Sequence, residues 1–313
     1  MSTKTKKPTI AISVGDLNGV GIEIALRSHK EISEVCTPLY CINTTMLHKA
    51  AKLLKSKLPN DLQLSEVDGD FNIHIGEVDA DAGRYSYDSF IQAVKLCESK
   101  KADAVVTMPI HKEAWMQAGL SYKGHTDLLR HHFEKDAIMM LGCQKMFVAL
   151  FSEHIPLKEV ASQIKYDKIL QFLLDLHKSL KASKVAVLGL NPHAGDNGVL
   201  GDEEREIEQA IQSANKKIGK EVFHGAIVPD IAFTPAFRNN FTYFVAMYHD
   251  QGLAPLKALY FDESVNISLN LPIIRTSVDH GTAFDIAYKG IANTKSYKNA
   301  ITSALQFIEN KNI

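Results

Sequence analysis

His154, His193 and His249 each stand just past an apolar run that reads as a buried strand: AIMMLGCQKMFVALF before the first, KVAVLGL before the second, TYFVAMY before the third. The carboxyl end of a strand is where an α/β sheet carries its functional groups. Three imidazoles from three such ends suit one divalent cation. Zn²⁺ on three protein nitrogens keeps a position open for substrate. No two of them have the short spacing of a helix or finger ligand set, and the chain holds 13 histidines, so chance placement stays open. Asp250 adjoins His249 and could accept a proton or orient the ring.

Residues 246–286 gather His249, Asp250, Lys257, Asn266, Arg275, Asp279, His280 and Asp285 between short apolar runs. VNISLNLPII within that stretch reads as buried strand, and Lys257 and Arg275 flank it. Cations rising from a buried sheet bind phosphate or carboxylate, because an unpaired buried cation is costly. Ion pairs with Asp250, Asp262 or Asp279 are the structural alternative. SVDHGTAFDIAYKGIAN, 277–293, reads as a polar loop that opens a helix at about Thr282. Asp285 then falls in the first turn, where the helix dipole favours a carboxylate. A carboxylate there could also hold a ribose diol.

These groups need a scaffold, and the chain reads as one. PTIAISV at 8–14 is a strand, GDLNGVG at 15–21 a Gly-rich turn, and EIALRSHKEI the start of a helix. Free N–H groups at such a turn meet an anion or cofactor. Gly15, Gly19 and Gly21 do not match G-x-G-x-x-G, so a plain tight turn is equally open. Strand 37–42 and helix 44–57 follow, then DLQLSEV and FNIHIGEV as short strands, helix 85–101 and strand 102–109. Gly119 ends a short helix. Gly124-His125-Thr126-Asp127 opens the next, with Thr126 or Asp127 as cap; His125 is either a surface histidine beside that cap or a functional group. Strand, turn and strand at 137–151 precede helices from about Pro156 and over 165–180. His193 lies in a long polar loop between a further strand and helix. The alternation predicts an α/β protein with a mostly parallel sheet and helices on its faces.

The chain's 313 residues exceed what one core usually holds, so two lobes are expected. No repeat or Pro/Gly/Ser linker separates them, so crossing strands must join them. With 35 basic against 36 acidic residues, the net charge of -1 gives no reason to expect nucleic acid or an anionic membrane as partner. Lys4, Lys6 and Lys7 make a basic start with no apolar run behind it, and no stretch is long enough to span a bilayer. Cys36, Cys41, Cys97 and Cys143 lack metal or redox spacing. Scattered thiols fit a reducing cytoplasm, which is the expected location.

Two end segments resemble the isocitrate and isopropylmalate dehydrogenase type of oxidative decarboxylase. Gly15-Asp16 with Gly19, Gly21 and Glu23 is similar to its N-terminal Gly-Asp-Gly-Ile-Gly-Pro-Glu. His280-Gly281-Thr282-Ala283-x-Asp285-Ile286-Ala287, with Asn293 beyond, is similar to its adenosine-binding loop. TMPIHKEAWMQAGLSYKGHTDLL, GLNPHAGDNGVLGDEE, AMYHDQGLAPLK and VNISLNLPIIRTSVDHGTAFDIA resemble, in order and nearly end to end, the 4-hydroxythreonine-4-phosphate dehydrogenase family of vitamin B6 synthesis.

That resemblance implies an isopropylmalate-dehydrogenase-like fold: two α/β lobes sharing mostly parallel sheets, with the active site in the cleft. The first lobe would be 1–125 with 280–313, on the cofactor side; the second, 126–279, would carry metal, substrate and dimer contacts. His154, His193 and His249 match the metal ligands, for Zn, Mg or Co. His125, Thr126, Lys257, Asn266 and Arg275 match substrate positions, with Asp250 and Lys257 as catalytic candidates. Gly15, Asp16, His280, Gly281, Thr282, Asp285 and Asn293 would hold NAD or NADP. The implied partners are a small phosphorylated amino-acid substrate and a second copy of the chain, in a homodimer with a shared metal site. Leu17, Asn18, Ile22 and His111 depart from the family's usual residues. A related phosphorylated four-carbon hydroxy acid, such as 4-phosphothreonate or 4-phosphoerythronate, is the alternative substrate. A metal-dependent phosphatase would use the same histidines but has no need of the 280–293 loop.

Overall fold

The computed structural model describes residues 7–311; Lys4 and Lys6 of the basic start lie outside them. The strands, in chain order, are β1 (Thr9–Ser13), β2 (Thr37–Cys41), β3 (Gln63–Ser65), β4 (Ala104–Thr107), β5 (Ile138–Cys143), β6 (Met146–Leu150), β7 (Val185–Leu188), β8 (Phe223–Ile227), β9 (Tyr243–Ala246), β10 (Val265–Leu269) and β11 (Arg275–Val278). The chain divides into two compact units, 1–135 with 271–313, and 136–270. Helix His125–Phe133 and β11 thus belong with the first unit, outside the bounds of 125 and 280 expected for it.

In the first unit the strands run β3-β2-β1-β4-β11, all parallel. β1 and β4 are buried along nearly their whole length, with apolar residues at their centres, as strands covered on both faces must be. Their carboxyl ends lie on one edge, which brings Gly15, Met108 and Asp279 to the same rim. Trp115, Phe90, Tyr40 and Tyr297 are fully buried in the core. Helix Ala80–Glu98 begins earlier than the apolar spacing alone indicates. Asp79 caps it, accepting from the N–H groups of Asp81 (2.7 Å) and Ala82 (3.1 Å). FNIHIGEV is a loop rather than a strand, because Asn18 takes its donors: the His74 N–H bonds Asn18 Oδ1 and the Gly76 N–H bonds the Asn18 carbonyl, both at 2.9 Å.

In the second unit the order is β10-β5-β6-β9-β7-β8. β10, β5 and β6 pair antiparallel; β6, β9, β7 and β8 pair parallel. The core joins Met139, Leu141, Val148, Leu188, Phe244 and Leu256. The parallel strands β6, β7 and β9 place their carboxyl ends on one edge, and each feeds a segment bearing one of the three histidines.

Candidate active site

The turn after β1 is built by close backbone approach. Gly15 has φ +70, and a Cβ there would lie 2.3 Å from the Pro109 carbonyl oxygen. The Asp16 N–H bonds that same oxygen at 2.9 Å. A Cβ on Gly19 would meet the Thr282 carbonyl at 2.8 Å, and the Val20 N–H bonds it at 3.0 Å. The turn of 15–21 and the loop of 280–293 therefore meet, as the two end motifs require. Tyr288 donates to the Leu17 carbonyl (2.7 Å), and Glu23 accepts from the Ala292 N–H (3.0 Å).

The loop itself differs from expectation. No helix opens at Thr282; the next is Lys295–Lys311, and the Asn293 side chain accepts from the Lys295 N–H at 2.9 Å. Ala283 (φ 43), Tyr288 (φ 61) and Gly290 (φ 74) turn left-handed, which interrupts any helix. The helix-dipole argument for Asp285 falls with it. Asp285 is exposed on this loop, Thr282 is buried, and a Cβ on Gly281 would meet nothing within 4 Å.

Several buried polar atoms around this rim have no hydrogen-bond partner: Asp16 Oδ2, His111 Nδ1, His125 Nε2 and His280 Nε2. Buried polar atoms are normally paired, so such a group points to a ligand that supplies the partners. His280 Nδ1 instead lies 3.0 Å from the Gly281 carbonyl. His111, one of the departures, stacks on Phe284 with ring centroids 5.0 Å apart and 12° between planes. These residues fit a polar cofactor bound across the turn and loop.

His125 is buried at the start of its helix, edge-on to Phe90 (4.6 Å) and Trp115 (5.8 Å). It is no surface residue. Burial first, and the charge of Arg275 second, hold its pKa well below the usual histidine value, so it is neutral. Gly124 stands at the cap with no side-chain bond, while Asp127 reaches back to the Lys123 N–H (2.9 Å). Neither Thr126 nor Asp127 caps the helix as expected; both lie in its first turn, and Thr126 is buried. Arg275 opens β11, 2 % exposed, and its Nη2 donates to Thr107 Oγ1 at 2.8 Å. Burial brings its pKa down to about 9, which leaves it cationic at neutral pH. A neutral imidazole beside a desolvated guanidinium makes an anion subsite.

Asp16 is wholly buried, and its pKa is raised to about 6. Burial is the largest cause; the Asn18 N–H on Oδ1 (2.9 Å) lowers it, and Asp79 raises it. The folded chain thus holds the proton more tightly than the unfolded one. Stability is full below 3.8 and falls as pH rises from there through about 6. The loss amounts to roughly 3 kcal/mol. Asp16→Asn, which keeps the acceptor for Asn18, is expected to melt higher than wild type above neutral pH and to lack that fall. Thermal melts across the interval check this; an identical profile in both proteins would remove Asp16 as the cause.

In the second unit, His154 and His249 come together, with ring centroids 5.6 Å apart. Both belong to one chain. His249 Nδ1 lies 2.7 Å from Asp250 Oδ1, a contact that orients an imidazole and leaves its other nitrogen, Nε2, for a second partner. Among the described residues no group of three or more His, Cys, Asp or Glu could hold a metal ion within one chain. The pair offers two imidazole nitrogens; a tetrahedral Zn-type centre would need further donors beside them.

His249 begins helix His249–Tyr260 rather than a loop. Lys257 therefore sits on that helix, not beside the strand, roughly 12 Å further along its axis. Its Nζ lies 5.4 Å from the centre of the Phe261 ring. Asn266 is on β10, opposite Leu141 of β5. Gln251, which nothing in the spacing singled out, links two of the histidine segments. Its Oε1 accepts from the Met247 N–H and its Nε2 donates to the Gly189 carbonyl, both at 2.7 Å.

His193 is the second residue of a short turn, Pro192–Gly198. Residues His193, Ala194, Gly195, Asp196 and Asn197 have φ of 52, 51, 78, 43 and 57. Left-handed backbone costs about 1–2 kcal/mol for each residue that bears a side chain. Four such residues within a run of five persist only where their surroundings force them, and such strain concentrates at functional sites.

Comparison with known proteins fits this arrangement. The sequence profile of the family described as Pyridoxal phosphate biosynthetic protein PdxA matches residues 34–304. A protein of Sulfurimonas denitrificans named 4-hydroxythreonine-4-phosphate dehydrogenase is 72 % identical over 299 residues, covering 96 % of this chain and 97 % of the relative. One of the same name from Campylobacter fetus is 55 % identical, covering 96 % and 99 %. The crystal structure of the Klebsiella pneumoniae 4-hydroxythreonine-4-phosphate dehydrogenase superposes with a TM-score of 0.83 at 31 % identity, covering 96 % of this chain and all of that one.

Proposed function

The chain belongs to the family of pyridoxal phosphate biosynthetic protein PdxA, and on that premise we propose that it oxidises 4-phosphooxy-L-threonine at C3, using NAD (or NADP). The product, after loss of CO₂, is 3-amino-2-oxopropyl phosphate. The observation that carries this reading is the 72 % identity, over nearly the full length of both chains, to a protein bearing that dehydrogenase name.

Bound at their sites, NAD supplies the oxidant and a divalent cation supplies Lewis acidity toward the substrate hydroxyl. The chain's own residues bind and orient. Lys257, Arg275 and Asn266, with neutral His125 and Thr126, are the groups for the substrate's phosphate and carboxylate. Oxidation at C3 makes a β-keto acid, whose carboxylate is then lost. His154, His193 and His249 hold the cation. Asp250, bonded to His249 Nδ1 at 2.7 Å, fixes the tautomer that leaves Nε2 for it. Gly15, Asp16, His280, Gly281, Thr282, Asp285 and Asn293 form the cofactor side.

The active form is a homodimer in this reading. Apolar side chains exposed beside the histidines support it: Ile155 and Leu157 next to His154, Val199 and Leu200 after the His193 turn. A third ligand drawn from the second copy would complete the pair.

Following NADH by absorbance with phosphohydroxythreonine and a divalent metal tests the reaction. NADH with CO₂ release is the expected result; phosphate release without NADH would overturn it. Asp285→Ala is expected to raise the KM for NAD roughly tenfold or more, since a lost pair of ribose hydrogen bonds is worth about 1.5–3 kcal/mol. An unchanged KM would move the ribose away from this loop.

A further inference from the structure

The left-handed turn around His193 is held from outside by one buried carboxylate. Glu204 is the first residue of helix Glu204–Ile218 and is 5 % exposed. Its side chain turns away from the amide groups of its own helix. Oε1 accepts from the N–H groups of Leu190 (2.8 Å) and Asn191 (2.7 Å), and Oε2 accepts from Asn191 Nδ2 (2.9 Å). Three donors converge on it, and Asn191 Nδ2 donates to Glu203 Oε2 (2.7 Å) as well. The fit continues into the turn. A Cβ on Gly195 would lie 2.6 Å from Glu204 Oε2, so the turn rests directly on the carboxylate. Asn191 Nδ2 in turn packs where a Cβ on Gly201 would stand, at 2.2 Å. Between the clamped Asn191 and His193 lies only Pro192, whose ring fixes φ. The chain has almost no freedom left between the clamp and the imidazole.

We propose that Glu204 is a positioning residue for His193: its carboxylate fixes the exit from β7 and props the left-handed turn, so that the imidazole is presented in one place. Glu204 touches no reacting atom and acts through His193. The inference rests on the reading of His193 as a metal ligand. A carboxylate that only favoured the dipole of its own helix would need none of these bonds to residues 190 and 191. A ligand on a strained turn needs such a brace, because otherwise the turn would relax to ordinary backbone and carry the ring with it.

Co²⁺ titration of the full chain, followed by its visible absorption bands, tests this, with NAD affinity and melting temperature measured alongside. Glu204→Ala is expected to weaken Co²⁺ binding by about 10–100-fold, the usual effect of losing a residue that orients a ligand, and to alter the bands, with NAD affinity unchanged. Glu204→Gln keeps an oxygen for the Leu190 and Asn191 N–H groups and should recover part of the affinity. It also reports if the alanine variant fails to fold. Co²⁺ affinity within twofold of wild type in Glu204→Ala would overturn the proposal, as would NAD affinity and melting temperature falling in step with Co²⁺ affinity in both variants. His193→Ala separates the two readings. If it loses Co²⁺ and Glu204→Ala does not, only the positioning role fails. If it binds Co²⁺ normally, the ligand role of His193 fails and the positioning role with it.

Discussion

His249→Ala should abolish turnover while leaving the melting temperature close to that of wild type. The ring is partly exposed and makes one side-chain bond, to Asp250, so its loss from the fold is small. Its loss from the site is large. His249 is half of the 5.6 Å pair with His154, and removing it leaves one nitrogen where two stood. Metal affinity should fall by more than the roughly 10–100-fold that follows loss of a mere partner to a ligating histidine. Asp250→Asn, which removes only that partner, should fall within that range. Metal titration and steady-state kinetics on the two variants check the order. Near-wild-type activity in His249→Ala would remove it from the ligand set.

Arg275→Met has the second largest expected effect. The guanidinium is held at the base of β11 by Thr107 and is cut off from water. An anion meeting it there gains a charge-assisted bond in a low-dielectric setting. Losing one member of such a buried pair costs about 2–5 kcal/mol, so kcat/KM should drop by roughly 30- to 5,000-fold. The KM for NAD should not move. Arg275→Lys should restore little, since the Thr107 bond and the substrate bond draw on different arms of one planar fork. A kcat/KM for Arg275→Met close to wild type would show that the substrate's anionic ends lie elsewhere.

What could be read in the sequence was whatever a single segment encodes. PTIAISV, GDLNGVG and the helix after them state a strand, a turn and an N-terminus within thirty-odd residues, and the structure follows them. The same holds for the hairpin of β5 and β6. Helix His249–Tyr260 was not legible, because Gly252 and Pro255 interrupt it and read as breakers. Gly252 is there for contact rather than for a turn: a Cβ would meet Val148 at 2.5 Å and Ala246 at 2.9 Å. Packing against β6 and β9 overrides local preference, as tertiary context commonly does. The loop after Asp279 erred the other way. Its residues suit a helix start, but Ala283 and Tyr288 bend to meet Leu17 and the Gly-rich turn at the far end of the chain. His125 could be flagged by type but not placed, since its burial depends on Phe90 and Trp115 from other segments. Glu204 and Gln251 carried no signal at all. Each acts by a bond to a segment distant in sequence, and a lone acid or amide beside a helix start looks like any other.

The place of β11 bears on how the chain is made. Arg275 and Thr107, bonded in the finished molecule, are 168 residues apart in the chain. The ribosome releases β1 to β4 first, with β4 apolar up to Thr107 and one side of it unpaired. It then delivers all of 136–270, an uninterrupted segment that holds every strand of its own unit. Only afterwards does β11 emerge to close the first. The nascent chain thus carries an open, largely apolar edge through more than half of its synthesis, the kind of edge that chaperones bind and that mispairs when they do not. The Gly15–Glu23 turn waits just as long, since Thr282, Tyr288 and Ala292, which shape it, come last.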